Sequence, residues 1–129
     1  MAETAAPSKL YLWSGRILTA LPVLVLAASG IAKLSMQAPV IEQMTQKFGF
    51  QESAIVPIGI VEILVAIVFA IPRTSALGAI LVSAYLGGAV VTHLRVTDNF
   101  IPPIIIAVLA WGGLYCRDER VRGLLPLRR

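Results

Sequence analysis

Apolar residues dominate four runs of this chain, at 17–32, 54–71, 75–94 and 101–115, with polar residues gathered between them. Each run approaches the roughly 20 helical residues that cross the hydrocarbon of a bilayer. The pattern predicts helices over 16–36, 54–71, 75–94 and 101–115. Pro22 interrupts the first and should bend it. Ser53 suits an N-cap for the second, with Pro57 in its early turns, and Ile-Pro-Arg-Thr at 71–74 reads as a tight turn. Pro102 and Pro103 open the fourth. Between the first two runs, Val40, Ile41, Met44 and Phe48 recur at helical spacing while Glu42, Gln43, Gln46 and Lys47 take the other faces. With Pro39 in a first turn and Gly49 as a C-cap, this stretch predicts a short amphipathic helix lying on the outer membrane surface. The expected fold is an all-α transmembrane four-helix bundle with that interfacial helix between helices 1 and 2.

The expected division of the chain has three parts. Residues 1–15 form a polar, disordered N-terminal segment ending in a belt of Tyr11 and Trp13 beside Arg16. Residues 16–116 form the membrane domain, and 117–129 an arginine-rich cytoplasmic tail. A signal peptide competes for the N-terminal stretch, with Lys9 and Arg16 as its basic region and Ala28, Ser29 and Gly30 as a cleavage site. Its basic region would be long and would carry Trp and Tyr, so the span is preferred.

Composition sharpens the class. Of 129 residues, 57% are hydrophobic, and the mean hydropathy is +0.83. That is too apolar for a soluble domain of this size, and four spans with short connections use nearly all the residues, so no soluble catalytic domain is expected. The net charge is +4. Its placement at helix ends and in the tail argues for lipid contact and orientation rather than nucleic-acid binding. Lys9, Arg16, Arg73 and the arginines of the tail fall on one side, and only Lys33, Lys47 and Arg95 on the other. Both termini are therefore expected to be cytoplasmic, which requires an even number of spans. Trp13, Arg73, Trp111, Tyr115, Arg117, Arg120 and Arg122 are the expected lipid and interface contacts. Cys116 is the only cysteine, which excludes an intrachain disulfide, a redox cysteine pair and a cysteine metal cluster. With a single His besides, no metal site is expected.

The chemistry centres on Glu62, an ionisable group deep in an apolar run, where a charge costs at least ~2.5–3.5 kcal/mol without a partner or a task. At ~1.5 Å per residue, Glu62 lies roughly 12 Å below the surface that its helix enters, and Tyr85 roughly 13 Å below the same surface. Gly59 and Ala66 share the Glu62 face and permit close helix contact, so Glu62 should point into the bundle. Gly78, Gly87 and Gly88 are expected to pack helix 3 on its neighbours. A polar pocket built from Glu62, Tyr85, Thr92 and His93, with Lys33 at its rim, is the candidate site. The competing reading is a Glu62 paired with Lys33, or bonded to Tyr85, that fixes helix register and binds nothing.

Four stretches, GIAKL at 30–34, GIVEILVAIVFAIPRTSALGAIL at 59–81, YLGGAVVTHLRV at 85–96 and WGGLYCRDERVRGLLPLR at 111–128, together resemble the DoxX-like family of small four-helix membrane proteins. The resemblance implies a multi-pass protein of the cell membrane, usually bacterial. The family's polar positions fall on Lys33, Glu62 and His93. Some relatives are named for association with a quinone-linked oxidoreductase acting on thiosulfate, and others resemble accessory membrane proteins. This chain lacks a cysteine pair, a haem-ligand pair of histidines and a nucleotide motif, so it carries no self-sufficient redox machinery and no cofactor is evident from its own residues. Three functions follow as expectations. The first is a non-catalytic accessory or structural subunit packed on a membrane partner or on copies of itself. The second is a quinone- or lipid-binding subunit of an oxidoreductase that uses the Glu62 pocket. The third is a small proton or solute transporter, for which the chain shows no inverted repeat.

Overall fold

The computed structural model describes residues 9–124, which are mostly helical with no strand among them. Six α-helices follow one another: α1 (Lys9–Leu34), α2 (Ala38–Glu42), α3 (Ile55–Ala70), α4 (Ser75–Arg95), α5 (Ile101–Arg117) and α6 (Glu119–Leu124). The helices carrying α1, α3 and α4 are long and apolar enough to cross a membrane, and α5 is a shorter apolar helix. α1 packs on α3 and α5, and α4 packs on the same two, so the four long helices close a cycle. Leu26, Ala66, Phe69, Val82 and Leu114 fill its centre. The outward faces carry Leu24, Ile60, Leu64, Ile80 and Val108, all exposed.

Several boundaries differ from the sequence expectation. α1 begins at Lys9 rather than near residue 16, so 9–15 is helical and only 1–8 of the expected disordered segment lies outside the described residues. No Gly or Pro interrupts 9–14, and nothing there opposes helix. α1 stops at Leu34, short of residue 36, because Met36 turns to positive φ (50°). α5 runs to Arg117, and the expected tail continues as α6; Arg128 and Arg129 lie outside the described residues.

Close backbone approach sets the crossings of α1. A Cβ on Gly30 would sit 3.1 Å from the Gly59 carbonyl oxygen, and one on Gly59 would sit 3.1 Å from the Gly30 oxygen. At the other end of α1, a Cβ on Gly15 would come 3.0 Å from the Gly113 oxygen. Small residues permit such contact, and packing rather than water drives association between apolar helices in lipid. Gly78 approaches the Phe69 backbone more closely still, and Ala66 is buried in the core. Gly87 and Gly88, expected to pack, do not: nothing lies within 4 Å of a Cβ on either.

The turn between α3 and α4 satisfies its own carbonyls. Thr74 Oγ1 donates to the Val68 oxygen at 2.7 Å, and Ser75 Oγ lies 2.9 Å from the oxygens of Phe69 and Ile71. Helix ends near hydrocarbon need such partners. Arg117 Nη2 donates to Ser75 Oγ at 3.0 Å. Arg122 Nη1 donates to the oxygens of Tyr115 and Cys116. These two arginines thus brace helix ends, while Arg73 and Arg120 are exposed. Trp111 is half-buried. Its Nε1 donates to Ser83 Oγ at 2.7 Å, clasping α5 to α4. Tyr115 is half-buried, and Trp13 is exposed with Arg16 over its ring.

Candidate functional site

The cavity occupies the end of the helix cycle where α1 and α4 finish and α3 and α5 begin. The expected helical stretch 39–48 lies there, passing from α into π geometry part-way along. α2 covers its first half, and a π-turn spans Gln43–Lys47, closed by the Phe48 amide donating to the Gln43 oxygen at 3.1 Å. Met44 and Phe48 point inward and join Ile55 in a second small core. Three contacts latch this segment to α4 and the turn after it: Lys47 Nζ to Asp98 Oδ1 at 3.2 Å, the Arg95 guanidinium to the Phe48 carbonyl, and the Phe48 ring tilted on the His93 ring at 4.9 Å. Gly49 (φ 76°) turns the chain away from the latch.

Below this lid lies a cavity of about 560 Å3. Glu62, Lys33, Tyr85, Thr92 and His93 all line it. Lys33 Nζ donates to Glu62 Oε2 at 2.8 Å and to Ser29 Oγ at 2.7 Å, with the two charged side chains 12% and 4% exposed. The pair is thus sequestered from water, and each charge depends on the other. Lys33 retains a third N–H. The Tyr85 hydroxyl approaches Glu62 closely enough to interact with its carboxyl. Thr92 and His93 are more occupied with their own helix. Thr92 Oγ1 donates to the Gly88 oxygen at 2.8 Å, and His93 Nδ1 donates to the Ala89 oxygen at 2.7 Å. In the neutral ring that leaves His93 Nε2 as an acceptor, and Asp98 Oδ2 stands 3.7 Å from it. Asp98 itself lies outside the helices, and its carboxyl is held below the usual range by the bond from Lys47 and one from the Asn99 backbone.

Leu26, Ile58, Leu86 and Ile106 supply apolar walls. The cavity therefore has a polar end and a greasy body, the common form of a small-molecule site. Sequence reasoning missed Ser29, which sits one turn before Lys33 and whose spacing was a readable signal. It also missed the part played by Met44 and Phe48 in covering the site, because the facing of a surface helix is a tertiary fact. No group of three or more His, Cys, Asp or Glu able to hold a metal occurs among the described residues.

Apolar helices packed in a cycle around a sequestered ion pair define an integral membrane protein, not a soluble bundle with a polar exterior. The model of the DoxX-like family matches residues 17–113, and the chain belongs to that family. No significant match was found among curated proteins or among solved structures.

Proposed function

We propose that this is a non-catalytic accessory protein of the cell membrane whose cavity holds a small amphipathic ligand, a quinone or a lipid. In this reading the four long helices form a transmembrane bundle, the lid lies at the outer surface, and both termini are cytoplasmic. One observation carries the reading: the Lys33–Glu62 pair, though nearly buried, borders a cavity of about 560 Å3. A pair serving only to fix register gains nothing from such a space, since interiors otherwise pack to few voids larger than water. The donor set suits a quinone, with the Lys33 ammonium and Tyr85 hydroxyl at one end and apolar walls along the body. A bound quinone would supply electron-carrying capacity, and the protein would supply binding and orientation for a partner.

The test is mass spectrometry of organic extracts from detergent-purified protein, wild type beside Glu62→Ala. A species enriched over bulk membrane lipid in the wild type and lost in the variant is the expected result. Identical extracts would refute the reading. The Gly30–Gly59 crossing beside the ion pair favours a second reading, in which the pair staples α1 to α3 in a structural subunit. Identical extracts, with a membrane partner captured equally by both forms, would support it.

A further inference from the structure

The cavity has two faces through which a ligand could pass, and they are built differently. The face toward the lid is covered by Phe48 and Met44, with Gln43 alone of that segment both lining the cavity and exposed. Phe48 and Met44 are 5% and 7% exposed, and the contacts to Asp98, Arg95 and His93 pin the segment that carries them. The face between α4 and α5 is open. Trp111 clasps Ser83 lower on these helices, but nearer the lid Ala84 and Gly88 of α4 and Pro102 of α5 are at once lining residues and exposed. A Cβ on Gly88 would meet nothing within 4 Å. Because α4 and α5 are apolar helices of a membrane protein, this gap opens toward the surrounding lipid, not toward water.

The polar end also constrains what can enter. Lys33 and Glu62 neutralise each other at 2.8 Å. A headgroup of either charge would add an uncompensated charge to a sequestered site. An uncharged group with carbonyl or hydroxyl oxygens would instead accept from the third Lys33 N–H or exchange hydrogen bonds with Tyr85.

Resting on the binding function proposed above, we infer that the ligand enters sideways from the bilayer through the α4–α5 gap at Gly88. It has an uncharged, oxygen-bearing head that reaches Lys33 and Glu62, and an apolar chain that trails through the gap into lipid. Isoprenoid quinones and neutral glycerolipids share this chemistry.

The neighbouring glycine provides a matched control. Gly87 is equally unhindered but does not line the cavity, so Gly87→Leu and Gly88→Leu place the same bulk one residue apart on one helix. Ala84→Leu fills the gap one turn away. Each purified variant is checked for folding by gel filtration and circular dichroism, and its organic extract is compared with that of the wild type. Retained amphiphile should fall about tenfold in Gly88→Leu and in Ala84→Leu and stay unchanged in Gly87→Leu. Should one gap variant misfold, the other decides. Full retention in a folded gap variant overturns the lateral route while leaving the cavity's binding role intact. Enrichment of a phospholipid in the wild type overturns the uncharged head. A wild-type extract equal to bulk lipid overturns both this inference and the binding function beneath it. Within a positive result, redox titration of the extract separates a quinone from a glycerolipid.

Discussion

At the scale of single residues, Lys33 and Glu62 are bound to each other's fate. Removing one partner from a buried pair leaves a charge with no solvent and no counter-ion, a loss of about 3–5 kcal/mol, whereas removing both can be close to neutral. Lys33→Met or Glu62→Leu alone should therefore lower the unfolding free energy by about 3 kcal/mol. The double variant should recover most of that loss, read from denaturant unfolding in detergent. Two independent, additive losses would mean that the pair is hydrated through the cavity and contributes little. Glu62 was legible from sequence because a carboxylate in an apolar run is expensive wherever the helix lies. Lys33 was one of the two partners that the sequence offered it, and the structure shows that pair. Depth matching favoured Tyr85 and set Lys33 at the rim. In the structure Lys33 reaches back along α1, past Ser29, to bond Glu62 directly. A long flexible side chain can cover that distance, and residue spacing alone does not say that it will.

At the scale of elements, the lid shows where periodicity stops being informative. Val40, Ile41, Met44 and Phe48 define an apolar stripe whether it faces lipid or protein, and the pattern cannot distinguish the two. The structure turns Met44 and Phe48 onto Ile55, and the helix widens into a π-turn at Gln43–Lys47. The long helices were legible because length and hydrophobicity suffice to place them. The glycines were only half legible. Gly59 and Gly78 pack, Gly87 and Gly88 do not, and the Gly15–Gly113 approach joins residues too far apart in sequence for a local pattern to pair. The latch carries a pH prediction. Asp98 is held below its ordinary value of 3.8, so its bond to Lys47 stabilises the folded lid at any pH above that value and is lost as pH falls through the depressed one. The wild type should accordingly melt higher than Asp98→Asn at neutral pH. The difference should shrink to nothing as pH drops below 3.8, measured by thermal unfolding of both proteins across the range. A difference that persists in strong acid would show that the carboxylate charge is not what holds the latch.

At the scale of the whole molecule, the proposed topology puts the 96–100 turn and the lid on one side of the membrane and Cys116 on the other. In a Cys116→Ser background, a cysteine at Asn99 should react with a membrane-impermeant thiol reagent on intact cells, while the native Cys116 should react only after the membrane is permeabilised. The reverse pattern would invert the orientation. The order in which the helices meet adds a consequence for synthesis. α1 touches α3 and α5, and α4 touches the same two, so α1 emerges from the ribosome before either of the long helices it packs on. It carries Lys33, whose counter-charge follows 29 residues later. Until α3 arrives, α1 is a lone apolar segment with an unneutralised ammonium near its trailing end, which can stay in the polar surface layer and hold the helix shallow. The arrival of Glu62 removes that restraint and draws Lys33 inward. The pair at the polar end of the cavity would then also mark, for the growing chain, the step at which two separate helices become one unit.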